Sequence, residues 1–277
     1  MDPNEVFPRV AVARQAAREA GSILMEMRGS ASVQQKQSFN LVTEADLAAE
    51  QRIVDIITEN CPNDTVFREE GESTGTLDAS RVWIIDPLDG TNSYAHGIPH
   101  YSVSIAFASE GVVHLGVVFD PQRDEMFWAM RPAEGAPGTA FLNQTPIRVS
   151  DHSPLTDCIV STGFYYDRGD MMRNTLRAIE ELFLLPIRGI RRFGSAAIDI
   201  CWVAAGRFDA HFEYQLSPWD YAAGWLILEM AGGAMFDRNG APMQLGSESV
   251  IATNGKVSDE LNQLIAYDRI SAARQAN

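Results

Sequence analysis

The segment 83–91 reads Trp-Ile-Ile-Asp-Pro-Leu-Asp-Gly-Thr: an apolar run, two carboxylates three positions apart, and then Gly90-Thr91. Hard oxygen donors packed this closely suit Mg²⁺. Free N–H groups of Gly90 and Thr91 at the mouth of the next turn suit a phosphate oxygen. A metal site beside a phosphate site points to phosphoryl chemistry. Two further acidic elements join this one: Glu69-Glu70, closing a short strand-like run upstream, and Asp220 in Ser217-Pro218-Trp219-Asp220. Local rules also explain each of them separately. Asp-Pro and Asp-Gly are ordinary turn formers. Ser217, Pro218 and Asp220 suit the cap, first and third positions of a helix. Thr43 and Asp46 resemble a capping box with Asp in place of Glu or Gln. The readings are compatible, because a carboxylate at a helix start can also face a metal.

The elements that must position these residues follow from periodicity. Val6, Val10, Ala13, Ala17, Ala20 and Leu24 fall at helical spacing and predict a helix over 5–27. A second helix begins after Thr43 and carries Leu47, Ile53, Val54 and Ile57 as far as Pro62. Strands are predicted at 65–67, 82–86, 101–108, 112–120 and 125–130, and 141–149 continues them as an antiparallel sheet. Pro87 fixes its own φ and removes a donor, so the strand carrying Asp86 is expected to end there. From about 151 the rhythm changes to strand–helix alternation: strands at 158–162, 189–193, 208–214 and 250–252, helices at 170–184, 195–205, 218–231 and 258–268. The pattern predicts an α/β protein, α+β in its N-terminal half and α/β in its C-terminal half, layered as a sandwich. The expected division is 1–150, a helix pair plus antiparallel sheet, and 151–277, an α/β subdomain.

The chain has 277 residues and a formal charge of −15. It is long enough for one large domain or two intimate subdomains. Such acidity disfavours direct binding to nucleic acid or to an anionic membrane. It also repels a phosphate ester, so a phosphate site must be locally positive, and a bound cation achieves that economically. No apolar run is long enough to span a bilayer, and the N-terminal residues lack the form of a secretory signal, so a cytoplasmic protein is expected. Cys61, Cys158 and Cys201, odd in number and widely spaced, read as reduced.

The stretch Trp83-Ile-Ile-Asp86-Pro-Leu-Asp89-Gly-Thr91 with Tyr94 and His96 resembles the first signature of the inositol monophosphatase family. Trp219-Asp220-Tyr-Ala222-Ala-Gly224 with Ala231-Gly232-Gly233 resembles the second, and residues 41–46, Gly194-Ser195-Ala196-Ala197 and Phe212-Glu213-Tyr214 fall in the expected order around them. The resemblance runs from about 5 to 265. It implies an alternating αβαβα sandwich of the sugar phosphatase type and a homodimer. It implies two or three Mg²⁺ ions held by Glu69, Asp86, the Leu88 carbonyl, Asp89 and Asp220, with Mn²⁺ as a substitute and Li⁺ and Ca²⁺ as inhibitors. The first subdomain would then carry most metal ligands, and the second Asp220 and the substrate contacts. Catalytic roles fall to Thr91, Asp46 and Glu69, which orient and deprotonate the attacking water. Gly90 and Thr91 receive the phosphate, while Ser195, Ala196 and Glu213 contact the alcohol. Arg68 stands where the family commonly has Gly or Ser; its guanidinium either competes for Glu69 or points away. The stretch 71–75 reads as a loop able to close over the site, and Gly163-Phe164-Tyr165-Tyr166 as aromatic lining.

The implied reaction is hydrolysis of a small phosphate monoester, inositol 1-phosphate first among them, by direct attack of a metal-activated water. Such esters are among the slowest to hydrolyse unaided, with enzymatic accelerations on the order of 10²¹. One general base contributes only about 10²–10⁴. Paired metals about 3.5–4 Å apart would therefore carry most of the charge stabilisation. Fructose 1,6-bisphosphate, 3′-phosphoadenosine phosphates and histidinol phosphate are the alternative substrates within the family. Glu213 favours a sugar hydroxyl and disfavours a second phosphate by like-charge repulsion. Covalent mechanisms fit less well. Asp86 and Asp89 are three apart rather than two, no Cys and Arg frame a phosphate loop, and no G-x-x-x-x-G-K-[ST] occurs. A different class of function, a scaffold in a transcription complex, is the remaining alternative.

Overall fold

The computed structural model describes residues 3–29, 33–37, 40–165 and 168–275. The chain opens with α1 (Pro3–Met27), a short hairpin of β1 (Val33–Gln37) and β2 (Asn40–Thr43), and α2 (Glu44–Asn60). Then come β3 (Thr65–Arg68), β4 (Val82–Asp89), the single turn α3 (Thr91–Ala95), β5 (Ser102–Ser109), β6 (Val112–Asp120), β7 (Glu125–Met130), β8 (Ala140–Leu142) and β9 (Thr145–Ile147). The remainder is β10 (Ile159–Thr162), α4 (Asp170–Leu184), β11 (Gly189–Arg191), α5 (Ala196–Ala204), β12 (Ala210–Glu213), α6 (Pro218–Met230), β13 (Ala234–Phe236), β14 (Val250–Thr253), α7 (Ser258–Ile265) and α8 (Tyr267–Gln275).

β3 to β9 form a seven-stranded sheet in sequence order, and the second large sheet runs β11-β10-β12-β14-β13. Alternation along β4 shows how the layers stack. Trp83 and Ile85 join the core that contains Ala13, Ala17, Ala20 and Leu24 of α1 and Ile53 and Ile57 of α2. Val82 and Ile84 point the other way, into a core filled by α5 and α6, with Val250 and Ala252 of the second sheet beyond them. The far face of that sheet packs Val160, Phe212 and Ile251 against Ala178 and Leu182 of α4 and Leu261 of α7. The order of layers is therefore α/β/α/β/α, the expected sandwich. Burial on both faces explains why β4 reads as a continuous apolar run.

Three expectations need correction. β4 does not stop at Pro87 but pairs with β5 through Asp89, with a bulge between Asp86 and Asp89. Proline is tolerated at a bulge because that position makes no ladder bond. The seven-stranded sheet is not wholly antiparallel, since β3 and β4 run parallel. The stretch 258–268 is two helices, α7 and α8. As expected, 141–149 continues the sheet, as the tight hairpin of β8 and β9. The short strands β1, β2 and β13 carry too few apolar alternations to be read in advance. Cys61, Cys158 and Cys201 are free thiols. Among the described residues no helix is long and apolar enough to cross a membrane.

Candidate active site

The β4 bulge does the geometric work at the acidic motif. Side chains alternate faces along a strand, so residues three apart normally point to opposite sides. Here Asp86 pairs with Ser104 and Asp89 with Ser102, so the extra residue brings both carboxylates to one face. That face looks toward the starts of α5 and α6. Ser104 Oγ donates to the Trp219 carbonyl at 3.0 Å, and Ser102 Oγ lies 3.3 Å from Ser195 Oγ. The two serines thus pin the helices at the same rungs as the two aspartates. Their signal in the sequence is a pair of hydroxyls alternating within an apolar strand.

Oxygens of Asp86, Asp89 and Asp220 converge to within 4.8 Å of one another. The protein holds each of them. Asp86 Oδ1 accepts the Leu88 N–H at 2.9 Å, and Asp220 Oδ2 accepts the Ser217 N–H at 2.7 Å. Asp89 Oδ2 accepts the Ser195 hydroxyl at 2.6 Å and the Ala197 N–H at 2.8 Å. Asp220 is thus a helix-cap residue and a cavity acid at once. Glu69, directly after β3, lines the same cavity outside the converging trio, and its charge acts on Asp86. The Arg68 guanidinium is engaged by Glu50, 3.5 Å from its carboxylate, and by the Glu72 carbonyl at 2.9 Å.

Burial, then the charges of Glu69, Asp89 and Asp220, push the Asp86 pKa well above the usual carboxylate range. Burial and the neighbouring Asp89 and Glu69 do the same to Asp220. Asp89 rises to about 6 by burial, held down by its bonds from Ser195 and Ala197. Three acids in one buried pocket disfavour each other's charge, and a divalent cation reverses the sign of that effect. An all-oxygen donor set fits Mg²⁺ or Mn²⁺.

Beside the trio, Gly90 turns the chain with φ +97°, and a Cβ there would sit 3.0 Å from the His100 carbonyl and 3.1 Å from that of Gly194. Only glycine allows both the turn and the approach. Thr91 Oγ1 lies 3.3 Å from Asp46 Oδ1 and 3.1 Å from the Leu88 carbonyl. Asp46 is fully buried, its other oxygen takes the Thr43 N–H at 2.8 Å, and burial raises its pKa to about 6. The expected capping box of α2 is present and also fixes the partner of Thr91.

The cavity, about 280 Å³, is also lined by Gly163, Phe164, Tyr165, Arg192, Ala196 and Glu213. Glu213 ends β12, and burial with the nearby Asp89 lifts its pKa to about 8 against the opposing charge of Arg192. A Cβ on Gly163 would meet Glu213 Oε2 at 1.8 Å, so residue 163 must be glycine for that carboxylate to stand there. Ser195 is fully buried with its hydroxyl on Asp89, so it supports the carboxylate and does not line the cavity. Tyr166 lies outside the described residues. Sequence reasoning missed Arg192, the one cation lining the cavity among the described residues. It also missed a buried chain beneath it. His100 Nε2 lies 3.1 Å and His211 Nδ1 3.7 Å from the Asp199 carboxylate.

A model of the inositol monophosphatase family matches residues 6–271. The chain is 37% identical to the inositol-1-monophosphatase of Synechocystis sp. over 279 residues, 98% of this chain and 95% of that protein. It is 37% identical to the Nus factor SuhB of Pasteurella multocida over 257 residues, 92% and 94% of the two chains. The crystal structure of the extragenic suppressor protein suhB from Bartonella henselae superposes with a TM-score of 0.86 at 35% identity, covering 93% of this chain and 98% of that one.

Proposed function

The chain belongs to the inositol monophosphatase family, and from that membership we propose that it hydrolyses a small phosphate monoester, inositol 1-phosphate first, to the alcohol and phosphate. The observation that carries the proposal is the convergence of Asp86, Asp89 and Asp220 beside the Gly90–Thr91 turn. Glu69, Asp86, the Leu88 carbonyl, Asp89 and Asp220 would hold the Mg²⁺ ions. When bound, Mg²⁺ supplies charge neutralisation at the phosphate and leaving oxygens and lowers the pKa of water.

The protein's own residues do the rest. Gly90 and Thr91 present N–H groups to the phosphate. When the Thr91 hydroxyl donates to Asp46, its lone pairs accept a hydrogen bond from an incoming water, and the water's proton passes to Thr91 as Thr91's own passes to the Asp46 carboxylate. Glu69 shares the orientation of that water. Glu213 accepts a hydroxyl of the alcohol and fixes which oxygen leaves. Arg192 also lines the cavity, and its charge favours the ionised form of Glu213. The same reading includes Li⁺ and Ca²⁺ inhibition, Mn²⁺ substitution, a homodimer, a cytoplasmic location, and division near residue 150 into two subdomains. The test is phosphate release from inositol 1-phosphate, fructose 1,6-bisphosphate, 3′-phosphoadenosine 5′-phosphate and histidinol phosphate, with Mg²⁺ and with or without Li⁺. Turnover of inositol 1-phosphate fastest, blocked by Li⁺, is expected; no turnover of any ester would contradict the proposal.

A second reading, a scaffold in a transcription complex, is favoured by the name Nus factor SuhB that relatives at 37–39% identity carry. It predicts co-purification with transcription proteins that persists in Asp86→Ala. The two roles are compatible, since an outer surface can bind a partner while the cavity remains open.

A further inference from the structure

Glu69 sits at the point where β3 ends and the chain doubles back. Arg68 is in register with Ile85 of β4, so the next residue comes level with Asp86. The return is closed tightly: the Thr74 N–H donates to the Val66 carbonyl at 2.8 Å, and the Arg68 N–H to Ser73 Oγ at 3.1 Å. Within this loop lies a buried acid from another element. Glu50 of α2 is 4% exposed and accepts the Glu70 N–H at 2.9 Å. Its carboxylate is 3.5 Å from the Arg68 guanidinium, which also donates to the Glu72 carbonyl. Gly71 fits between them only because it has no side chain; a Cβ there would fall 2.6 Å from Arg68 Cζ and 2.8 Å from Glu50 Oε1.

One helix turn separates Glu50 from Asp46, so both acids project from the same face of α2. Asp46 holds Thr91, and Glu50 holds the loop that carries Glu69. We propose that Glu50 and Arg68 act together as positioning residues for Glu69, so that α2 sets the Glu69 carboxylate and the Thr91 hydroxyl at a fixed spacing across the metal cavity. The proposal rests on the metal-dependent reading above. It also gives Arg68 a role: it is neither a competitor for Glu69 nor a bystander, but the bridge between the buried acid and the loop backbone.

The test is Mg²⁺ binding to the substrate-free protein by titration calorimetry, for wild type, Glu50→Gln, Arg68→Met and the double variant. Partners one shell out from a metal ligand typically contribute 10–100-fold in affinity. Each single variant is expected to weaken Mg²⁺ binding by about that factor, and the double variant by no more than the worse single one, as for groups acting as a unit. Arg68→Lys should recover part of the loss. Cleavage by a Glu-specific protease within 69–72 should accelerate in the same variants, while the thermal midpoint of the whole protein moves little. Arg68 is 19% exposed, so Arg68→Met remains informative even if the buried Glu50 variant folds poorly. Wild type that binds Mg²⁺ while Arg68→Met binds it within twofold as well would overturn the positioning proposal alone. Wild type that binds no Mg²⁺ would overturn the functional reading and this proposal with it.

Discussion

Each cavity aspartate is aimed by a backbone N–H: Asp86 by Leu88, Asp89 by Ala197 and Asp220 by Ser217. Ligands fixed before the cation arrives lose little freedom when it binds. Asp220→Asn keeps an acceptor for the helix cap and removes only charge, so it should lower Mg²⁺-dependent kcat by more than about 10²-fold, since even outer partners are worth 10–100-fold. The check is steady-state phosphate release alongside an unchanged circular dichroism spectrum. Near-normal kcat would refute the assignment. Ser195→Ala should weaken Mg²⁺ binding roughly 10-fold through the loss of one charge-assisted bond to Asp89. Gly163→Ala tests the Glu213 contact. Its methyl would displace Glu213, so KM for inositol 1-phosphate should rise while calorimetric Mg²⁺ affinity stays put. The three aspartates were legible in the sequence because each is explained twice, once by local backbone rules and once by chemistry. Ser102, Ser104 and Glu50 were not, because a single buried polar residue in an apolar or helical run carries no sign of its partner.

Elements fix the spacing that residues alone cannot. Gly116 of β6 lets α6 approach so closely that a Cβ there would lie 2.4 Å from the Ala223 carbonyl. Gly116→Ala must push α6, and Asp220 with it, away from the sheet. It should cost about 1–3 kcal/mol and lower the thermal midpoint by several degrees, measured by calorimetry. Between the sheets, His100 of the loop before β5 and His211 of β12 flank Asp199 of α5. Burial lowers His100 to about 4 and His211 to about 3, so both imidazoles are neutral in the fold. The unfolded chain binds protons first, near 6.5. Their stabilisation is therefore complete above that pH and lost as pH falls toward 4. Asp199, raised well above its ordinary range by burial, opposes this, because the fold favours its protonated form. His211→Phe removes one of the two draining groups. Urea unfolding between pH 6.5 and 4 should then fall less steeply, by at most about 1.4 kcal/mol per pH unit; an unchanged slope would contradict it. Helix and long-strand positions were legible from periodicity. The β4 bulge was not, because Pro87 reads equally as a strand end or as a kink that the sheet absorbs.

On the scale of the whole molecule, the cavity lies at the seam of the layers. The seven-stranded sheet supplies Glu69, Asp86 and Asp89, the middle helices Asp220 and the supports of Asp89, and the second sheet Glu213. No single layer contains the site, so it forms only when these layers stack. That explains why acids scattered from position 46 to 220 could be grouped in advance only through family resemblance. For a protein of formal charge −15 that concentrates acids in one pocket, a cation bound there would offset the repulsion of an incoming phosphate. The most direct test is a crystal grown with Mn²⁺ and read by anomalous scattering. Peaks bounded by Asp86, Asp89 and Asp220, next to the Gly90–Thr91 turn, are predicted; a cavity without an anomalous peak at saturating Mn²⁺ would contradict the account.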